Sequence, residues 1–258
     1  VGAPDALGAS ITRVAARQDR LELRTDVPAT GTWQRCSDLL DDPARFDVWR
    51  KLLGDWLRAQ FGQAPERTTA GFVMSWYLHV PAFTAALLLH HERRVPTLRP
   101  GELAFRLCAD RPHPEGVAVL GEQFYCLPGD PGAGLPQATV VADERALAAV
   151  LRARYTAHAA RFVQAYAPVS RLGRRTLWAA ATDALDSTLW WSGSYAGDED
   201  AGVADARLVL DEHHPPLTAS SRLRRSEQGW ARRRESCCFS YLLPEQPLCD
   251  GCPRTCRR

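Results

Sequence analysis

One stretch limits the folds open to this chain more than any other. Residues 68–91, TTAGFVMSWYLHVPAFTAALLLHH, contain no Asp, Glu, Lys or Arg. Such a segment either crosses a membrane or lies at the centre of a core. A span needs about 20 predominantly apolar residues, so length alone permits one. The content argues for the core. Thr68, Thr69, Ser75, His79, Thr84, His90 and His91 interrupt the run, Pro81 falls inside it, and no second segment of this kind exists. The expectation is a buried helix, kinked or broken near Pro81, with no transmembrane span. At 258 residues the chain can bury a substantial core around it.

The flanking sequence reads as α+β: a mostly helical body with a small antiparallel sheet in mid-chain. RLELRT (20–25) alternates as a strand would. DDPARFDVWRKLLGDWLRAQFG (41–62) reads as a helix capped by Asp41 or Asp42, with Phe46, Trp49, Leu53, Trp56 and Leu57 on one face and Gly62 at its end. ELAFRLCA, GVAVLG and EQFYCLPG, within 99–129, are short, β-rich and separated by Pro and Gly, which predicts two or three antiparallel strands. Helical spacing returns at 143–166, with Asp143 as cap and Pro168 just past the end, and again at about 174–191 and 198–213. PGDPGAGLP (128–136) contains Gly132-x-Gly134 but no third glycine and no phosphate-loop lysine, so it reads as a loop. No nicotinamide, flavin or nucleotide fingerprint is present. The first residues, VGAPDALGAS, lack the basic and apolar regions of a signal peptide. The expected location is the cytoplasm, where clustered cysteines bind metal more often than they form disulfides.

Charge and cysteine both gather at the other end. Residues 221–258 hold nine arginines and four carboxylates, a net of +5, whereas the remainder carries 23 basic and 26 acidic residues, a net of −3. The overall charge of +2 does not suggest a nucleic-acid partner. The chain divides accordingly into a body, 1–220, and a terminal module, 221–258, whose segment 219–236 is a polar and basic lead-in. Five of the eight cysteines lie in that module. Cys249-x-x-Cys252 can offer two sulfurs to one centre across a tight turn, with Gly251 where a positive φ is needed. Cys237 and Cys238 are neighbours, and neighbouring side chains of an extended segment point to opposite sides. They suit a centre large enough to receive them on different atoms. Four thiolates fit either tetrahedral zinc or an iron–sulfur cluster, and the C-C pair in place of a second C-x-x-C counts against zinc. Cys36, Cys108 and Cys126 sit on apolar-patterned segments and read as buried small hydrophobes. His79 reads as a core histidine, and His90-His91 and His213-His214 as helix-end residues. Cys256 falls outside the pattern.

Cys237-Cys238, ten residues, then Cys249-x-x-Cys252 with Pro253 after it and an arginine-rich stretch before it resembles the C-terminal signature of the FhuF-type ferric siderophore reductases. CCFSYLLP also fits, with Tyr241 and Pro244 in the family's positions. The close likeness covers about residues 225–253; over 30–215 it is general. The resemblance implies that Cys237, Cys238, Cys249 and Cys252 hold a 2Fe–2S cluster. It further implies a body that binds the ferric siderophore and one-electron reduction of Fe(III) to Fe(II), with release of the iron. The expected partners are a ferric siderophore, hydroxamate type favoured, and an external donor such as a ferredoxin or a reductase; loose membrane association is compatible with this. No catalytic residue beyond the cluster is expected. Thiolate 2Fe–2S centres of the plant type lie near about −400 mV, and nearby positive charge raises that. Arg232, Arg233 and Arg234 would act in that direction and offer a positive patch to an acidic donor. Aromatic-rich SWYLH (75–79) and STLWWSGSY (187–195) are candidates for contact with the chelate. Two other classes fit the same cysteines: an iron–sulfur electron carrier or redox sensor with another target, and a zinc-stabilised binding module.

Overall fold

The charge-free run becomes one unbroken helix at the centre of the molecule. A computed structural model describes residues 6–29 and 31–255. Along the chain lie α1 (Leu7–Ala15), β1 (Glu22–Arg24), β2 (Trp33–Arg35), α2 (Cys36–Asp41), α3 (Ala44–Phe61) and α4 (Glu66–Glu92). Then come β3 (Arg94–Pro96), β4 (Leu103–Leu107), β5 (Pro114–Val119), β6 (Phe124–Cys126) and β7 (Ala138–Val140). Three helices follow, α5 (Glu144–Ser170), α6 (Arg174–Tyr195) and α7 (Glu199–Val209), and then a hairpin of β8 (Leu223–Ser226) and β9 (Gly229–Arg232).

A helix apolar on all sides must be covered on nearly all sides, and α4 is buried along most of its length. Among the described residues it is the one helix long and apolar enough to cross a membrane, yet 72% of its most apolar window is buried within the fold. The break expected at Pro81 does not occur. Proline removes one backbone bond, and here burial on both flanks, from Leu78 and Val80 to Ala82 and Ala85, holds the helix together. Helix α6, rich in alanine, packs along α4. Tyrosines of α5 tie the layers: Tyr166 donates to the Ala70 carbonyl of α4 at 3.0 Å, and Tyr155 to the Ala181 carbonyl of α6 at 2.9 Å. Gly62 ends α3 in the left-handed region, as its position after Phe61 predicts. Asp143 caps α5 by accepting from the Ala146 N–H at 2.8 Å. That helix runs through Pro168 to Ser170 rather than stopping before it, at the loss of one backbone bond near its end.

The α+β class stands, but the sheet is not one antiparallel unit confined to mid-chain. One sheet has the order β1-β5-β4-β2 and draws two strands from before α2. Its β1 runs parallel to β5, while β2/β4 and β4/β5 are antiparallel. A second sheet, β3-β6-β7, pairs β6 with β7 in parallel. The lead-in is not featureless either, since residues 223–232 form the β8–β9 hairpin.

Candidate metal centre

The four terminal cysteines are delivered by a segment that α6 and α4 hold from two sides. On α6, Thr182, Asp183 and Asp186 capture backbone N–H groups of the incoming chain. Thr182 Oγ1 accepts from Thr218 N at 2.8 Å and Asp186 from Arg222 N at 3.0 Å. Asp183, 5% exposed, accepts from Glu235 N at 2.9 Å, Ser236 N at 2.8 Å and Ser236 Oγ at 2.6 Å. Burial pushes the Asp186 carboxyl up from its ordinary value, against the pull of the Arg222 N–H. On α4, Thr68 Oγ1 donates to the Phe239 carbonyl at 2.9 Å. Gly71 lets the chain lie directly on the helix: a Cβ there would stand 2.8 Å from the Phe239 ring and 2.9 Å from the Cys238 carbonyl oxygen. Phe239 takes a left-handed φ of 59°, which turns the chain just after the paired cysteines.

The turn brings one of the neighbouring thiols to the C-x-x-C pair. Cys238 Sγ lies 3.5 Å from Cys249 Sγ and 3.2 Å from Ser240 Oγ. Cys237 Sγ accepts from the Phe239 N–H at 3.4 Å and sits within electrostatic reach of Cys238 and Cys252. Cys252 is 2% exposed and its N–H closes the turn onto the Cys249 carbonyl at 3.1 Å. Gly251 is required there twice over. Its φ is +66°, and a Cβ would overlap the Arg232 carbonyl oxygen. The same glycine's carbonyl accepts from Arg234 N at 2.9 Å, so the C-x-x-C turn is pinned to the strand that leads to Cys237. Among the described residues no three Cys, His, Asp or Glu side chains converge on one point as around a single ion; the close approach is that of Cys238 to Cys249.

Their electrostatics are uneven. Burial pushes the Cys237 thiol up. Burial also leads, with Cys238 and Cys252 adding to it against Arg234, in pushing Cys249 up to about 11. At Cys238 burial is outweighed by the hydrogen bonds of Ser240 and the charge of Arg234, and the thiol sits below its ordinary value. Metal binding must displace these protons. Four thiols, with N–H donors aimed at the sulfurs of Cys237 and Cys249, form a donor set that suits a thiolate cluster.

The family model described as the FhuF 2Fe-2S C-terminal domain matches residues 234–254. This segment is thus similar to the FhuF 2Fe–2S C-terminal domain. A search of curated proteins finds no match to the chain. The FhuF domain indicates a 2Fe–2S cluster, and Cys237, Cys238, Cys249 and Cys252 all lie within it.

Around the FhuF domain, the three arginines of the lead-in part company. Arg232 and Arg234 have side chains 12% and 15% exposed, and both face Asp183. Arg234 also donates to Cys249 Sγ at 3.3 Å. Only Arg233 is exposed. The expected patch of three is therefore a single surface arginine and two that brace the domain from within. Burial pulls the Arg232 guanidinium down from its ordinary value, while Asp183 and the thiols hold that of Arg234 above its own against burial. Cys36 and Cys126 are buried as expected, whereas Cys108 is half-exposed. Cys256 lies outside the described residues. The two aromatic stretches meet: Trp76 and His79 of α4 and Trp191 and Tyr195 of α6 line one cavity of about 380 Å³. Tyr77 turns away into the core. His79 donates from Nδ1 to the Ser75 carbonyl at 2.6 Å, and burial pushes it down to about 4. Sequence reasoning missed Thr182, Asp183 and Asp186. Two carboxylates three residues apart in an alanine-rich helix were the available signal.

Proposed function

We propose that this protein is a cytoplasmic ferric siderophore reductase that carries single electrons from an external donor to chelated Fe(III). The observation that carries this reading is the FhuF 2Fe–2S domain at residues 234–254. It is supported by the setting of that domain, in which the ligand Cys237 also lines a surface cleft. When bound, the 2Fe–2S cluster supplies a one-electron store. The chain's own residues do the rest. Asp183 and Thr68 fix the ligand-bearing segment on two helices, and the core packing of Phe239 and Leu243 keeps water from the inner side. Arg234, hydrogen-bonded to Cys249, raises the potential by favouring the more negative, reduced state.

No acid, base or nucleophile is needed. Siderophores hold Fe(III) through hard oxygen donors and hold Fe(II) far less tightly, so one electron releases the metal. The donor in this reading is a small ferredoxin or a reductase of the same compartment. The test is direct: dithionite-reduced protein, freed of excess reductant, is mixed with a ferric siderophore. The visible absorbance of the oxidised cluster should return, and Fe(II) should appear as its ferrozine complex. Reoxidation no faster than in buffer, across hydroxamate, catecholate and citrate complexes, would leave an electron carrier with another target.

A further inference from the structure

The cluster ligand Cys237 does not face plain solvent. It lines a cleft of about 500 Å³ together with Arg67, Arg175, Arg254, Tyr241 and Thr176. The three arginines come from distant parts of the chain, from α4, from the first turn of α6 and from the segment after Cys252. Arg67 lies over the Phe239 ring, 5.3 Å from its centroid. Arg254 lies over Tyr241, 4.0 Å from the ring centroid, and donates to its hydroxyl at 3.1 Å. None of the three is paired with a carboxylate among the described residues. The one acidic residue of the cleft, Glu235, is engaged by Arg222 at 2.9 Å. The cleft also receives the start of α6, whose cap residue Gly173 brings no side-chain acceptor and whose first turn holds no carboxylate. The positive end of a helix of this length favours an anion. Three guanidiniums and a helix end therefore meet at one cluster ligand, and beyond the thiolates themselves the cleft lining brings only Glu235, already engaged by Arg222, to balance them.

Resting on the siderophore-reductase reading, we propose that this cleft is where the ferric chelate docks, and that it selects chelates of net negative charge, held through anionic oxygens, over neutral tris-hydroxamates. The competing site, the aromatic cavity between α4 and α6, has no residue of 221–255 in its lining. Ser187 and Asp183 stand between it and the cluster ligands: His79 Nε2 lies 3.4 Å from Ser187 Oγ, which donates to the Asp183 carbonyl at 2.7 Å. Electron transfer weakens steeply with distance, so a cleft that includes a ligand cysteine is the better place for an acceptor. The step is simple in balance. A one-electron donor of the ferredoxin class is oxidised, chelated Fe(III) is reduced to Fe(II), and no bond to the protein forms or breaks. On this proposal the cleft favours anionic chelates, where the resemblance led to an expectation of the hydroxamate type.

Gallium(III) complexes test docking without electron transfer, because Ga(III) matches Fe(III) in charge and is not reduced under these conditions. Calorimetric titration of the cluster-loaded protein should show a gallium tris-catecholate binding about tenfold or more tighter than a neutral gallium tris-hydroxamate, with the gap closing as salt is added. Arg67→Gln and Arg175→Gln should each weaken the catecholate complex by about tenfold and leave the tris-hydroxamate unchanged. Arg67→Lys and Arg175→Lys should retain most of the affinity. An unchanged visible spectrum in each variant shows the domain intact. Equal catecholate affinity in the wild type and the Gln variants would overturn the inference, as would a tris-hydroxamate bound as tightly as the catecholate. Slower reduction by an acidic protein donor with unchanged gallium binding would also overturn it, giving the cleft to the donor. If no gallium chelate of either charge binds, the reductase reading itself fails.

Discussion

A single carboxylate on α6 holds the strand that delivers the paired cysteines. Asp183 accepts three hydrogen bonds from Glu235 and Ser236 and faces Arg232 and Arg234 from a site 5% exposed. Its removal strands two backbone donors and takes a counter-charge from two largely buried cations at once. Asp183→Ala should therefore cost about 3–5 kcal/mol, and Asp183→Asn less, since it keeps one acceptor oxygen. Hydrogen exchange locates the effect: the amides of Glu235 and Ser236 should lose protection while the interior of α6 keeps its own. Uniform loss along both segments would mean that Asp183 supports the whole fold and not this junction. The cysteines were legible because their spacing alone carries the chemistry. Asp183 was not, because its partners lie 52 and 53 residues away. The run Arg232-Arg233-Arg234 was misread as one patch. In an extended strand alternate residues face opposite ways, so two of the three point inward and one outward.

Among the elements, α4 was the most legible, since a run without charge must be covered somewhere. What the sequence hid was the work done by small residues on its surface. Gly71 is an ordinary mid-helix glycine by sequence, and Ala is preferred there by about 1 kcal/mol on intrinsic propensity. The contacts point the other way. A Cβ at Gly71 would press on the Phe239 ring at 2.8 Å and on the Cys238 carbonyl oxygen at 2.9 Å, both backed by the packed domain. Gly71→Ala should keep or raise far-UV helicity and yet lower the iron and sulfide content per chain severalfold. Gly54→Ala on α3, where the nearest atom belongs to the flexible Arg58 side chain at 3.6 Å, is the control and should leave cluster content unchanged. Full cluster occupancy in Gly71→Ala would show that the segment can ride higher on α4. The sheets were legible only in part. Strands 103–107 and 114–119 adjoin and pair, but β1 joins β5 in parallel across more than 90 residues. Local alternation reports a strand and not its neighbour.

At the scale of the whole molecule, the core carries a polar thread that ties its stability to pH. His158 donates from Nδ1 to the Leu98 carbonyl at 2.8 Å and accepts at Nε2 from Tyr77 OH at 3.0 Å. Tyr77 in turn meets Cys36, so α2, α4, α5 and the loop after β3 share one buried chain of hydrogen bonds. Burial pushes His158 and His79 each down to about 4 from 6.5, and pushes His91 down as well. The sign follows from proton counts. Below pH 6.5 the unfolded chain takes up protons that the folded imidazoles refuse, so stability falls as pH drops, and the loss levels off below about 4. For His79 and His158 the difference between pH 7 and pH 5 is about 2 kcal/mol each. Among the carboxylates, Glu92 and Asp211 are held below their ordinary values and titrate lower still, whereas Asp186, pushed up by burial, acts in the opposite sense. The urea midpoint should thus fall clearly between pH 7 and pH 5. His158→Gln, which can still accept from Tyr77 and donate to Leu98, should be less stable at pH 7 and lose about half of the pH dependence. A variant with the full wild-type dependence would show that His158 takes up its proton in the folded state, and that the thread bends to admit the charge.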